Sequence, residues 1–343
     1  MKTEYSYSEG GLVMENKHFN LITIEISGAC NAHCPFCVTG RGDIKAGKMM
    51  SLDLFKKTIY RLKELDLVAK DCDFYLFNWG EPFLNPELNE ILEFCADENL
   101  HICLSTNAST YKKLSKKAIK PISNFIVSMP GFSQTAYDKI HGFDFEKIKE
   151  NIEQFTKDFK KYSTTQKIQL RQHIYQWNLD DIAKTAKYAF DLGADFYPYY
   201  AYINHYEMFK KYKLGQLDKQ TEHEINTNIF TYYLHNYIYD PKFECYEFDM
   251  LILDESANVV SCCNMAKNNE KFVLFNIFDD NAPDRMPERI NMEECKTCLA
   301  LGMAQIPYNI GTVPQWADNI KAHINKNSKT NFHKILHRLC HKK

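Results

Sequence analysis

Between residue 21 and about residue 205 the chain alternates strand-like apolar runs with helix-period segments, and this alternation constrains its fold more than any other feature. Strand patterns lie near 21–26, 73–77, 101–105, 124–128, 167–174 and 195–202. Helical patterns between them cover Leu52–Leu65, Pro86–Glu98, Lys112–Ile119, Phe145–Tyr162 and Leu179–Leu192. Repeated strand–helix units need right-handed crossovers, so the strands should run parallel in an α/β fold. Ligand sites in such architectures gather at the carboxyl ends of the strands. With 343 residues, 45% of them hydrophobic, the chain can form one large domain and a small one. A formal charge of −2 leaves no electrostatic footprint for nucleic acid. No run reaches the length of a membrane span. The N-terminus, Met1 to Ser8, is not an apolar secretory segment, which predicts a reducing, cytoplasmic setting. There, twelve cysteines point to metal or redox chemistry rather than to disulfides.

Cys30, Cys34 and Cys37 form a C-x₃-C-x₂-C pattern just after the first strand. Soft thiolates suit iron–sulfur chemistry, and three of them can hold three irons of a [4Fe–4S] cluster, leaving the fourth open to a small ligand. A structural zinc site with His33 as fourth ligand is the alternative. Three further polar motifs end later strands: Asn78 to Pro82 after Phe74–Phe77, Ser105 to Asn107 after Ile102, and Ser128 to Gly131 after Phe125. Gly80 would let backbone approach a ligand closely. An ordinary strand-ending turn is the plainer reading of Gly80-Glu81-Pro82 taken alone.

In this order the motifs resemble the radical SAM superfamily, in its SPASM or twitch-type branch, over roughly residues 20 to 300. The resemblance implies a partial (β/α)₆ TIM-like barrel. It implies S-adenosylmethionine (SAM) chelated at the open iron, cleaved by one electron to a 5′-deoxyadenosyl radical that abstracts hydrogen from substrate. It places Phe36 near the adenine and Gly80, Glu81 and Pro82 at the methionine amino group. Ser105 and Asn107 would reach the ribose or carboxylate, and Ser128 the ribose. Pro130 stands where many relatives carry an acidic residue. The stretch from Ser133 to Ile152 resembles the helix pair that follows in SPASM-type members.

Strand alternation assigns the lumen. Ile22, Ile24 and Ile26 share the apolar face of the first strand, which turns Thr23 and Glu25 inward. In the fifth strand Gln169, Arg171, His173 and Tyr175 face inward. Arg171 is the candidate for SAM carboxylate recognition, because a planar guanidinium matches a carboxylate twice; an ion pair with Glu25 or another acid is the alternative. His173 and Tyr175 are candidate substrate contacts or acid–base groups, against a satisfied structural histidine. Aromatic residues from Phe196 to Tyr206 cap the barrel mouth or pack between domains.

A second cysteine group begins at Cys245. It precedes two short strands, Leu251–Asp254 and Asn258–Ser261, followed by Cys262 and Cys263 and, later, Cys295 and Cys298. This layout resembles the auxiliary-cluster domain of SPASM and twitch enzymes. The resemblance implies a second [4Fe–4S] cluster on Cys245, Cys295, Cys298 and either Cys262 or Cys263. Cys262 is favoured because the family usually places its ligand first. A Cys₄ zinc ribbon is the alternative. With four protein ligands the cluster would relay electrons, and the remaining thiol, Cys263, could donate a hydrogen atom to a substrate radical. The alternative for Cys263, as for Cys72, Cys95 and Cys103, is a buried inert cysteine.

The expected organisation is an N-terminal segment (1–20), the barrel (21–205), a helical connection (206–240), the auxiliary domain (241–305) and a basic extension (306–343). In the extension Phe332, Ile335, Leu336 and Leu339 recur at helical spacing, for a docking helix or an anionic membrane contact. The expected activity is SAM-dependent oxidation of a small or carbohydrate-like substrate, with flavodoxin or ferredoxin as reductant. The lack of a long segment before Cys30 that could hold a peptide-recognition domain favours that over a peptide-modifying enzyme; an epimerase is a further alternative. A non-catalytic zinc scaffold is the alternative of another class.

Overall fold

The computed structural model describes residues 5–8, 11–14, 18–45, 47–162, 166–231, 245–267 and 270–305. The basic extension, with its Phe332 to Leu339 pattern, lies outside the described residues.

The two N-terminal strands β1 (Tyr5–Ser8) and β2 (Gly11–Met14) pair antiparallel as a ribbon. The main sheet has nine strands in the order β11-β10-β9-β3-β4-β5-β6-β7-β8. Its six barrel strands are β3 (Phe19–Ile24), β4 (Val68–Tyr75), β5 (His101–Thr106), β6 (Ile122–Met129), β7 (Lys167–Ile174) and β8 (Asp195–Tyr200). They lie in chain order and every neighbouring pair is parallel. The crossovers carry α1 (Leu52–Glu64), α2 (Leu88–Asp97), α3 (Lys116–Ile119), α4 (Gln134–Lys139), α5 (Phe145–Tyr162) and α6 (Asp181–Asp191).

Local chemistry sets these bounds. Ser51 accepts the Leu54 N–H and starts α1, which turns Phe55, Ile59 and Leu62 onto the sheet. The pattern expected from Lys112 becomes helical only at Lys116, because Ser115 accepts the Ala118 N–H at 3.0 Å and caps the helix there. Ile22, Ile24 and Ile26 are fully buried, as alternation requires, and Phe83, Phe125, Phe155 and Phe159 form one aromatic cluster beneath the helices.

The C-terminal segment is continuous with the barrel. Strand β9 (Met250–Leu253) pairs parallel with β3, from Leu21 opposite Met250 to Ile24 opposite Leu253. The expected hairpin is present: β10 (Asn258–Val260) returns antiparallel to β9 and is followed by β11 (Val273–Asn276). Asp254 stabilises its turn by accepting the Ser256 and Asn258 N–H groups, both at 2.9 Å. Among the described residues no helix is long and apolar enough to cross a membrane.

Candidate active site

The loop that leaves β3 carries Cys30, Cys34 and Cys37, all partly buried. Cys37 N donates to Cys34 O at 3.2 Å, and a Cβ on Gly40 would lie 2.4 Å from Cys34 N, so the loop closes tightly on itself. Burial pushes the Cys30 thiol up to about 11, and Cys34 and Cys37 rise for the same cause. The neighbouring thiols add to this, Cys37 acting on Cys30 and both Cys30 and Cys37 acting on Cys34. Such a mutually repelling, desolvated group is held as thiolates only by a cation. An iron–sulfur cluster with three protein ligands fits that donor set.

The ends of β4 and β5 brace this loop. A Cβ on Gly80 would fall 1.7 Å from Ser27 O, so only glycine permits the crossing of the two segments. Glu81 N donates to Ala29 O at 2.8 Å. The Glu81 carboxylate accepts from Phe83 N at 3.1 Å, Thr106 Oγ1 at 2.8 Å and Asn107 N at 2.7 Å. Burial raises its pKa to about 7, against the pull of those donors. The carboxylate is thus occupied by its own fold, and Pro82 opens a short 3₁₀ turn behind it. Asn107 Nδ2 in turn lies 3.1 Å from Asn31 Oδ1 and 3.8 Å from Cys30 Sγ.

Aromatic rings line the side of β7. Phe36 sits 6.1 Å from Tyr175, which stacks on Trp177 at 5.2 Å. His173 meets Tyr199 at 4.3 Å. Burial, aided by the Arg171 charge, pushes His173 down to about 4, so it is neutral at physiological pH. Burial holds the Tyr175 phenol well above its usual range. Arg171 Nε and Nη2 both donate to Gln169 Oε1, at 3.1 and 3.0 Å. Glu25 pairs instead with Lys267. Ser105 and Ser128 are half-buried, Ser128 directly opposite Arg171 in register.

A cavity of about 770 Å³ opens beside these strands, with Thr23, Tyr75, Arg171, Tyr202, Glu247 and Cys263 among its lining. Its basic and carboxyl-bearing lining is Arg171 from the barrel and Glu247 and Asp249 from the C-terminal segment. The Cys263 thiol donates to Glu247 Oε2 at 3.0 Å. The adjacent Cys262 sulfur lies within 4.8 Å of both the Cys263 sulfur and a Glu247 oxygen, and Cys245, Cys295 and Cys298 are each pushed up by burial and by Cys262, Cys295 to about 12. Glu247 and Lys267 carried no motif signal; only their places beside Cys245 and after the Cys262–Cys263 pair could have drawn attention to them.

Residues 24–189 match the Radical SAM superfamily. The chain is 25% identical over 177 residues to the PqqA peptide cyclase of Bradyrhizobium diazoefficiens, covering 51% of this chain and 44% of that protein. It is 26% identical over 180 residues to the AdoMet-dependent heme synthase of Methanosarcina barkeri, covering 51% of this chain and 48% of that protein. The chain thus spans less than half the length of these two relatives. The antilisterial bacteriocin subtilosin biosynthesis protein AlbA of Bacillus subtilis is 24% identical, over 52% of this chain and 38% of its own. The crystal structure of Streptococcus suis SuiB bound to precursor peptide SuiA superposes with a TM-score of 0.53 at 11% identity, covering 79% of this chain and 65% of that one. That likeness establishes the shared partial-barrel fold.

Proposed function

Because this chain carries a radical SAM domain, we propose that it binds a [4Fe–4S] cluster through Cys30, Cys34 and Cys37 and uses SAM to modify a peptide side chain seated in the 770 Å³ cavity. When bound, cluster and SAM together would supply a 5′-deoxyadenosyl radical able to take a hydrogen atom from an unactivated carbon. The observation that carries the reading is the three-thiol loop braced by Gly80, Glu81 and Asn107 at the carboxyl ends of parallel strands. Asn107 orients the Cys30 side of the loop, and Gly80 and Pro82 keep backbone close to it. Phe36 and Tyr175 offer an aromatic wall for an adenine. Arg171, with Ser105 and Ser128 on the same lumen face, offers a guanidinium to a carboxylate and hydroxyls to a ribose. His173 is neutral and Tyr175 protonated, so each can donate or accept a hydrogen bond without carrying charge.

The second thiol group, Cys245, Cys262, Cys295 and Cys298, would hold an auxiliary [4Fe–4S] cluster that relays electrons, with a flavodoxin- or ferredoxin-class reductant in a reducing cytoplasm. Residues 21–205 would form the SAM-binding unit and 241–305 the auxiliary one. A peptide substrate is supported by the relatives that are a peptide cyclase and a bacteriocin biosynthesis protein. It displaces the small or carbohydrate-like substrate as the leading reading. The Cys263 thiol in the cavity favours a second outcome, return of a hydrogen atom to the substrate radical and hence epimerisation.

The test is anaerobic loading with iron and sulfide, then SAM and a strong reductant. About eight irons per chain and release of 5′-deoxyadenosine are expected. Replacing Cys30, Cys34 and Cys37 by Ala should end SAM cleavage and keep the auxiliary irons. Zinc in place of iron, or cleavage that survives the triple substitution, would overturn the assignment.

A further inference from the structure

The segment that follows Cys262 returns to the SAM-binding loop. Ala266 packs with Val38, Ile44 and Trp79 in a small apolar cluster, against which Cys37 also packs. The next residue, Lys267, is the centre of a buried charge network. Its ammonium lies 3.5 Å from Glu25 Oε2 and also bonds Glu255 Oε2. The side chains of Glu25, Glu255 and Lys267 are 2%, 9% and 13% exposed, so water screens them little. Glu25 stands at the carboxyl end of β3, and its Oε1 accepts the Trp79 N–H at 2.8 Å. Glu255 belongs to the β9–β10 turn, where its carboxylate fills the space beside Gly28 and Gly47: a Cβ at either would lie 2.6 Å and 2.1 Å from Oε1. One ammonium therefore ties together the loop entering Cys30, the loop at Trp79 and the hairpin turn.

Two carboxyl groups share one ammonium in this poorly screened region, and burial raises the Glu25 pKa to about 7 against the pull of Lys267, so the group carries excess negative charge above that pH. The Trp79 that Glu25 holds by its N–H belongs to the apolar cluster against which Cys37 packs, so the network stands one packing layer from that thiol.

Resting on the cluster assignment above, we propose that Glu25, Lys267 and Glu255 form an electrostatic device by which the C-terminal segment sets the reduction potential of the cluster held at Cys30, Cys34 and Cys37. Net negative charge close to a cluster resists the arrival of an electron. The three side chains are positioning residues, since they act on the cluster through Cys37 and Trp79 rather than by touching substrate.

The experiment is a mediated redox titration of the full chain loaded with iron and sulfide. It follows the low-temperature EPR signal of the reduced cluster that changes on adding SAM, which separates it from the auxiliary one. Glu25→Gln should raise the reduced-to-oxidised ratio at the wild-type midpoint at least threefold, equivalent to about 28 mV for a one-electron couple. Glu255→Gln, on the hairpin side of Lys267, should move it the same way. Lys267→Arg keeps the charge and should stay near wild type. Should Glu25→Gln fail to fold, Glu255→Gln carries the sign alone. Unchanged midpoints in both glutamine variants at full iron content would overturn the proposal. So would a Lys267→Arg shift as large as theirs, because packing would then be the cause. Iron-loaded wild type with no SAM-responsive signal would instead remove the cluster assignment itself, and this inference with it.

Discussion

Removing the Glu81 carboxylate tests whether the ends of β4 and β5 are tied in the way the structure shows. Glu81 is 3% exposed and accepts from two backbone N–H groups, of Phe83 and Asn107, and from the Thr106 hydroxyl. Glu81→Ala leaves all three donors without that acceptor in a dry site. At about 1–3 kcal/mol for each buried unsatisfied group, and with the hydroxyl free to rotate, the loss should be about 3–6 kcal/mol. Glu81→Gln keeps one oxygen for Phe83 and Thr106 but turns an amide N–H₂ toward Asn107 N, so its cost should be about 1–3 kcal/mol. Against a total stability of about 5–15 kcal/mol both are large. The sign of the pH effect is also defined. Folding raises this carboxyl from 4.5 to about 7, so the folded state holds its proton between those values while the unfolded state does not. Its contribution to stability is full below about 4.5 and is lost as pH rises through about 7. Urea unfolding of the chelator-treated full chain, followed by circular dichroism at about pH 5, reads the two variants where that contribution is still present. The order wild type, Gln, Ala is the signature. An alanine variant within about 0.5 kcal/mol of wild type would refute the tie, since surface substitutions produce changes of that size.

Three further outcomes are expected. Gly80→Ala should give a chain that loads iron poorly, because its methyl group would meet Ser27 O at 1.7 Å and the backbone must move the Cys30 loop; iron per chain beside soluble yield reads it. Cys262→Ser should lose roughly half of the roughly eight irons while Cys263→Ser keeps them, as iron analysis and the EPR of the remaining cluster will show. Acid should unfold the protein through its buried histidines. His173 and His205 are depressed from 6.5 to about 4, so the stability they confer is present above pH 6.5 and falls away as pH drops through about 4. His205 Nδ1 also accepts the Met208 N–H at the start of the helix Tyr206–Lys213, so His205→Asn should keep the cap and lower the acid midpoint. An unchanged midpoint would contradict the role given to His205.

Much of the barrel was legible because its signals are local. The fifth-strand pattern, 167–174, and the helix Phe145–Tyr162 match the structure to the residue, since alternation and helical period act within a few neighbours. The second strand begins at Val68, earlier than its apolar run, because Lys70, Asp71 and Asp73 lie on an exposed stretch that hydropathy reads as loop. The motif residues could be placed at strand ends from sequence alone. What each side chain does there could not. Glu81 reads as a ligand contact in a motif, yet its three partners are Thr106 at the end of β5, Asn107 just beyond it and Phe83 in the turn that follows Glu81 itself.

The union of the C-terminal hairpin with the barrel was invisible for a different reason. Nothing in Leu251 to Leu253 distinguishes a strand of a separate small domain from one that pairs with β3, because the apolar pattern satisfies either edge. The choice rests on long-range partners. Glu25 N donates to Leu253 O at 2.9 Å, Lys267 meets Glu25 in a buried ion pair, and Arg289, fully buried, bonds Met250 O. Each joins residues far apart in the chain, and two of them involve a charged side chain that sequence patterning assigns to solvent. The same features join the segment that carries the second thiol group to the sheet that carries the first. Substitutions in the hairpin turn should therefore be read at the loop that carries Cys30, Cys34 and Cys37 rather than only where they are made, because Lys267 joins Glu255 of that turn to Glu25.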